Sequence, residues 1–339
     1  METFLVEIEK EINKTLHEKS GLVPYFSEQG RYVFEHLYNH KLFRHCFHCM
    51  EIKPQLSLLR KLIKSDDIFE NSLFFILFKA FVYAEARFIH NFIPQNSHEE
   101  RLTGHLMSEY LSALNIVKKS FQEKAFEMYN ENVILDFHYA DLSSNKRERT
   151  TGADFGIVFH INLPDYPEEV KAAIFQAKKI GKNVRIDIEQ YNTLLQYGKE
   201  GAYYCFYDMN TKQTSSPLVL QADEIYFDDK EKKNKTICKD RYKFSDSPQM
   251  PLSVFLIFNM LSSENSSKYK KCENLWDAKN YFAHGDNDEK KNKDNYFSYV
   301  DQIDNTPNKI LIVSIGGIQE GRQDLRNIND LYRFPEYED

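Results

Sequence analysis

The pattern of hydrophobic and polar positions predicts that the first third of the chain is helical. Up to Pro94, apolar residues recur at helical spacing, most densely in the phenylalanine-rich segment from Leu73 to Phe92. After Pro94, cap-type residues and the acids Glu99 and Glu100 precede a second apolar stripe that continues to about Met128. The sequence therefore predicts a long amphipathic helix that begins with two glutamates.

The next part of the chain changes to the alternating and continuous apolar runs that are typical of strands. We predict four strands at Val133–Tyr139, Asp154–Ile161, Ala172–Lys178 and Tyr203–Tyr207, with a helix at Ile186–Tyr197. The order helix, strand, strand, strand, helix, strand predicts a mixed α/β core. Further along, an apolar helix at Leu252–Leu261 and a buried strand at Ile310–Ile315 are expected.

Length and composition extend this picture to the whole chain. Its 339 residues exceed the usual ~100 to 200 per domain, and 42% hydrophobic residues are ample for a large core. We divide the chain into a helical N-terminal region (1–95), an α/β core (96–225) and a mixed C-terminal extension (226–339) that packs on the core.

Charge and cysteine usage bear on location and partners. The net charge of −7 argues against a surface that is basic all over, but nucleic-acid binding needs only a local basic face. Five scattered cysteines and an acidic amino terminus are typical of a cytoplasmic protein with reduced thiols. The most apolar segment, Ser72 to Ile93, is interrupted by charged residues, so we expect a buried helix and no membrane span.

Candidate chemistry lies in the second and third predicted strands. Asp154 opens an apolar strand directly after Gly152-Ala153, and Gln176 and Lys178 alternate with Phe175 and Ala177. Alternation places Gln176 and Lys178 on one face of their strand. A carboxylate, an amide oxygen and an amine could thus converge. These are the minimum set of groups for metal-assisted attack of water on a phosphodiester.

Together with Glu100 in the opening helix, these residues resemble the restriction-endonuclease-like PD-(D/E)xK nucleases. The closest variant is the Gln-x-Lys form seen in Mrr-type restriction enzymes, and the resemblance covers roughly Glu99 to Tyr207. It implies a restriction-endonuclease-like core, in which helices flank a central mixed β-sheet. It also implies that Asp154, Gln176 and Glu100 hold Mg²⁺, with Mn²⁺ as a possible substitute.

The resemblance also assigns roles to the remaining site residues. Gln176 stands where most members have Glu or Asp and brings no charge, which Glu100 could restore. Lys178 would orient or help deprotonate the attacking water and stabilise charge on the phosphate. Gln190 resembles an accessory glutamine that helps to position the water or phosphate.

The partner implied by the resemblance is DNA, and the implied role is defence against foreign DNA or phage. Cutting both strands would favour a dimer, and a partner protein of a defence system is the other expectation. Basic residues flank the candidate site and would contact phosphates without reading sequence. They are Lys179, Lys182, Arg185, Lys146, Arg147 and Arg149.

Other interpretations stay open beside the nuclease. A nuclease-like module without catalytic activity could bind nucleic acid or a partner protein. The segment Lys279 to Gly285, with His284, resembles the Arg-x(4)-His ribonuclease motif of HEPN domains, although lysine is not an equal substitute for a forked guanidinium. The segment His45 to Cys49 looks like half of a zinc site but has no second ligand pair, so packing explains it more simply.

Overall fold

The computed structural model describes residues 66, 69–141, 151–180, 186–209, 216–225, 250–261, 269–286, 307 and 309–316. The segment His45 to Cys49 lies outside these residues, as do most of the N-terminal region and most of the C-terminal extension. The helices are α1 (Ser72–Asn91), α2 (Glu99–Tyr129), α3 (Ile188–Gly198), α4 (Leu252–Val254), which runs into a π-helical segment (Phe255–Leu261), and α5 (Leu275–His284). Single 3₁₀ turns lie at Ile93–Gln95, Lys199–Gly201 and Ala222–Glu224.

The strands form one mixed sheet. They are β1 (Leu135–Asp141), β2 (Phe155–Ile161), β3 (Glu169–Ile180), β4 (Ala202–Asp208), β5 (Leu218–Gln221), β6 (Met250–Pro251), β7 (Lys270–Cys272) and β8 (Lys309–Ile315). The order across the sheet is β1-β8-β2-β3-β4-β5-β6, and β7 pairs with the first part of β3. The pairs β2–β8 and β3–β4 are parallel, and the other pairs are antiparallel.

Strand β8 comes from the last part of the chain but lies between β1 and β2, which are consecutive in sequence. All seven of its residues are buried. A fully buried strand with neighbours on both edges and helices on both faces reads as a continuous apolar run, as Ile310 to Val313 does. The sequence predicted this strand, and the structure adds its central place in the sheet.

Two layers of helices cover the sheet. On one face, Phe155, Phe159 and Phe175 pack in a core cluster with α1, α2 and the π-helical segment. On the other face, Val158 and Ile174 belong to a second cluster with α3 and α5. The alternation of side chains along each strand produces this division. The prediction of a mixed α/β fold, with a mixed central sheet flanked by helices, is confirmed.

A buried carboxylate joins several elements on the α1–α2 side. Glu85 of α1 accepts hydrogen bonds from Tyr110 Oη (2.9 Å) of α2 and from Ser253 N (2.5 Å) and Ser253 Oγ (2.8 Å) of α4. Ser216 Oγ, just before β5, is a further donor. Burial raises the pKa of Glu85 to about 7, against the lowering effect of these donors.

Helix α1 is the apolar segment that the sequence analysis interpreted as a buried helix. Asn71 caps its first turn by accepting a hydrogen bond from Leu73 N at 2.8 Å. Lys79 and Glu85 are buried in it. Among the described residues, no helix combines the length and the apolar character needed to cross a membrane.

Candidate active site

Asp154 lies at the point where β2 begins, between two neighbouring strands. Its backbone N–H donates to Phe175 O of β3 at 2.8 Å, and its carbonyl accepts from Lys309 N of β8 at 3.2 Å. Its side chain is buried, with 7% exposure. The backbone of Asp154 is therefore hydrogen-bonded to both neighbouring strands, so the position of its carboxylate is set by the centre of the sheet.

The two glycines that flank Asp154 allow helices to approach closely. Gly152 has a φ of +66°, and a Cβ there would lie 2.8 Å from Gln190 O of α3. A Cβ at Gly156 would lie 2.8 Å from the ring of Phe282 in α5. The spacing of Gly152, Asp154 and Gly156 thus lets both helices of one layer pack against the strand that carries the carboxylate.

The Asp154 carboxylate contacts the first residue of the predicted Gln-x-Lys pair. Asp154 Oδ2 accepts from Gln176 Nε2 at 2.5 Å and from Ala177 N at 2.7 Å. Gln176 Nε2 also lies 3.3 Å from Ala177 O. Among the described residues, Gln176 Oε1 has no hydrogen-bond partner, although Gln176 is only 1% exposed. A carboxylate and an unsatisfied amide oxygen therefore belong to one buried pair.

Lys178 and Gln190 also come together. Lys178 Nζ donates to Gln190 Oε1 at 2.8 Å. Asp187 caps α3 by accepting from Glu189 N at 2.8 Å and from Gln190 N at 3.1 Å, so the first turn of the helix holds Gln190 in place. Both side chains are half-buried, which leaves the amine able to meet a ligand at the surface.

Glu100 lies in a different layer from these four residues. Helix α2 covers the opposite face of the sheet, and the Glu100 carboxylate is 3.6 Å from Lys309 Nζ. The Glu100 side chain is 59% exposed and that of Lys309 only 4%. The neighbouring Glu99 is closer to the Gln-x-Lys strand, because its Oε1 accepts from Lys179 N at 2.8 Å.

Of the six predicted phosphate contacts, Lys179 is described. Its Nζ donates to Asn96 Oδ1 at 2.9 Å and to Ser97 O at 3.1 Å, so it joins β3 to the start of α2. The other five predicted phosphate contacts lie outside the described residues: Lys146, Arg147, Arg149, Lys182 and Arg185. All five belong to the two segments that directly follow β1 and β3 in sequence.

The HEPN-like alternative depends on His284, whose side chain lies outside what the structure describes. His284 is the last residue of α5. Lys279, at the position of the motif's arginine, places its Nζ 4.5 Å from the centre of the Trp276 ring. Burial lowers the pKa of Lys279. The contact with Trp276 gives Lys279 a packing role in α5.

Sequence reasoning missed two residues next to the site, Glu99 and Lys309. The resemblance points to Glu100, but a sequence pattern does not show which of two adjacent carboxylates faces β3, and it is Glu99 that contacts this strand. Lys309 directly precedes the apolar run Ile310 to Ile315, and a lysine at the start of a strand is normally read as solvent-exposed. The signal that could have identified it is the burial of β8 on both faces.

The oxygen atoms of the site are of the kind that binds a hard divalent cation. Carboxylate and amide oxygens are ligands that Mg²⁺ accepts, and the pair Asp154 and Gln176 offers both. The unsatisfied Gln176 Oε1 is the observation that favours an additional ligand there. In the described part of the chain, no group of three or more His, Cys, Asp and Glu side chains is placed to hold a metal ion.

No protein-family model, no curated protein and no solved structure matches this chain. A function must therefore be argued from the chemistry of the residues themselves.

Proposed function

We propose that this protein is a metal-dependent deoxyribonuclease that hydrolyses phosphodiester bonds, with Mg²⁺ as the cation and Mn²⁺ as a substitute. The observation that carries the proposal is the buried contact between Asp154 and Gln176, in which Gln176 Oε1 lacks a partner among the described residues. Beside it, Lys178 is held by Gln190. Asp154 and Gln176 thus form one contacting pair on neighbouring strands. Lys178 of β3 and Gln190 of α3 form a second pair.

Asp154 and Gln176 would hold the cation through the carboxylate and the amide oxygen. When bound, the cation would supply Lewis-acid stabilisation of the phosphate and a more acidic water. The Asp154 backbone is fixed by Phe175 O and Lys309 N, so its carboxylate would keep its position during the reaction. The Glu100 carboxylate lies 3.6 Å from Lys309 Nζ on the α2 side of the sheet, so Glu100 would contribute to the electrostatic field of the site more than to direct ligation.

Lys178 would act on the reacting groups through its amine. A lysine ammonium group carries three donor hydrogens, and the bond to Gln190 Oε1 uses one of them. The remaining donors could meet the attacking water and a phosphate oxygen, where they would stabilise developing negative charge. Gln190 would position the amine, since the capped start of α3 fixes the backbone from which its side chain reaches Lys178.

One observation favours a second candidate, a nuclease-like module that binds nucleic acid or a partner protein without cleaving. Asp154 Oδ2 already accepts two hydrogen bonds within the protein, and Gln176 brings no negative charge. A site with a single carboxylate in direct contact attracts a divalent cation more weakly than one with two. The two candidates share a nucleic-acid partner and differ in catalysis.

For the nuclease, we propose foreign or phage DNA as the substrate and a dimer as the active form, because one site of this kind acts on one strand. An active dimer would convert supercoiled plasmid directly to linear DNA, whereas independent monomers would accumulate nicked circles first. Analytical ultracentrifugation of the full chain, with and without DNA, would show which form is present during cleavage.

The proposal is tested by incubating plasmid and linear DNA with the full chain in Mg²⁺ or Mn²⁺. We compare wild type with Asp154→Asn and Lys178→Met, which preserve side-chain size. Asp136→Asn and Lys118→Met are the matched controls, because these two residues form a partly exposed pair with 42% and 34% exposure. The nuclease predicts cleavage by wild type and by both controls, and loss of at least about a hundredfold in each site variant.

Two results would contradict the nuclease. Metal-dependent cleavage that survives Asp154→Asn would place the chemistry elsewhere in the chain. DNA binding without cleavage at saturating Mn²⁺ would favour the binding module. A third arm uses RNA in the presence of EDTA, because the HEPN-like reaction needs no metal and would be removed by His284→Ala.

A further inference from the structure

The amide of Gln176 has an unusual distribution of hydrogen bonds. Its nitrogen lies 2.5 Å from Asp154 Oδ2 and 3.3 Å from Ala177 O, so both amide hydrogens face acceptors. Its oxygen has no partner among the described residues, although the side chain is buried. The two acceptors identify which end of the amide is the nitrogen, because an amide oxygen there would face two other oxygens.

This orientation is the reverse of the one that a cation needs. An amide nitrogen donates hydrogen bonds and does not ligate Mg²⁺, whereas the amide oxygen does. In the present orientation the positive end of the amide dipole therefore lies against Asp154. The nitrogen is bonded to Oδ2 of the carboxylate that would hold the cation, and the potential ligand atom of the amide has no partner among the described residues.

We infer that Gln176 is a latch, which holds Asp154 through its amide nitrogen in the ion-free protein and reverses to present its oxygen when a divalent cation binds. The inference rests on the proposed function, because it concerns the same cation. It adds a reason for glutamine at this position. A glutamate would face Asp154 with a like charge, whereas glutamine stabilises the carboxylate of the ion-free site by donating a hydrogen bond.

The latch lowers the affinity of the site for a divalent cation. A cation must displace the hydrogen bond between Gln176 and Asp154 before it gains the amide oxygen, so wild type should bind a cation more weakly than a variant that lacks the competing donor but keeps a ligand oxygen at this position. Gln176→Glu removes the donor and adds a negative ligand, and we expect it to bind Mn²⁺ about tenfold to a hundredfold more tightly. Gln176→Met, of similar length, removes both donor and ligand and should bind no more tightly than wild type.

The test combines calorimetry with NMR of the full chain labelled with ¹⁵N and ¹³C in glutamine. Calorimetry measures Mg²⁺ and Mn²⁺ binding to wild type, Gln176→Glu, Gln176→Met and Asp154→Asn. NMR follows the side-chain amide of Gln176, assigned as the signal that is missing in Gln176→Met. The amide of Gln221 in β5 donates to Glu200 O, with a donor–acceptor distance of 3.4 Å, and is the internal control.

We expect an amide proton of Gln176 to resonate downfield in the ion-free protein and to lose that shift in Asp154→Asn. Saturating Mg²⁺ should remove the shift in wild type and move the side-chain carbonyl carbon, with no change at Gln221. Binding of Mg²⁺ that Asp154→Asn abolishes, with the Gln176 amide unchanged, would overturn the latch and leave the proposed function standing.

The converse result separates the two proposals in the other direction. If saturating Mg²⁺ removes the downfield shift of the Gln176 amide in wild type but the full chain does not cleave DNA, the latch is supported and the cleavage proposal falls. If no variant binds Mg²⁺ or Mn²⁺, both proposals are wrong.

Discussion

Replacing Glu85 with glutamine isolates the effect of one buried carboxyl group on stability. Burial raises the pKa of Glu85 from its ordinary 4.5 to about 7. The folded state therefore binds this proton more tightly than the unfolded state does. The stability from protonated Glu85 is fully present below pH 4.5 and is lost as the pH rises through about 7.

The size of the effect follows from the difference between the two pKa values. Each tenfold change in proton affinity corresponds to about 1.4 kcal/mol, so the shift from 4.5 to about 7 predicts a loss of about 3 kcal/mol in unfolding free energy. The nearby thiol of Cys205 does not add to it in this range, since burial raises its pKa well above the usual value. Glutamine has the same size and no titration, and its amide can bond to the hydroxyls of Ser216 and Ser253.

The assay is urea unfolding of wild type and Glu85→Gln between pH 4.5 and pH 8, followed by far-ultraviolet circular dichroism. All other titrating groups are common to both proteins, so they cancel in the difference between the two unfolding free energies. That difference, wild type minus variant, should fall by about 3 kcal/mol across the range. A difference that stays constant with pH, or one that rises, would show that folding does not raise the pKa of Glu85.

Other perturbations test the geometry around the site. Gly152→Ala should lower the unfolding free energy by at least about 1–2 kcal/mol in urea, because its φ is +66° and its Cβ would meet α3. Gln190→Leu should reduce the rate of DNA cleavage by about tenfold and leave the unfolding free energy unchanged, because it removes the hydrogen-bond acceptor of Lys178 and not the amine itself. Tyr207→Phe should lower the unfolding free energy in urea by about 1 kcal/mol, since it removes the buried 2.9 Å hydrogen bond to Thr103. The Thr103 hydroxyl keeps its bond to the α2 backbone.

The elements of the fold were largely predictable, because the hydrophobic pattern reports burial directly. The long helix that begins at Glu99 and the strand Phe155–Ile161 were found close to their observed ends. Strand β3 is longer than predicted, since it starts at Glu169. Lys171 accounts for the difference: it is fully buried and paired with Glu169 at 2.9 Å, whereas a lysine in sequence indicates an exposed position.

The order of the strands in the sheet could not be predicted from the sequence, because the partner of a strand depends on contacts between distant segments. The insertion of β8 between β1 and β2 is the clearest case, and it also brings Lys309 beside the candidate site. Within the site, alternation predicted that Gln176 and Lys178 share a face. It could not show the direction of the Gln176 amide, which is determined by Asp154 and the backbone of Ala177.

The central claim, a divalent cation held by Asp154 and Gln176, is tested most directly by crystals of the full chain soaked in Mn²⁺. Manganese scatters anomalously, so its position can be located independently of the protein atoms. We expect an anomalous peak within about 2.2 Å of an Asp154 carboxylate oxygen and of Gln176 Oε1, and no such peak in Asp154→Asn. A saturating soak that leaves no peak there, with Gln176 Nε2 still bonded to Asp154, would contradict it.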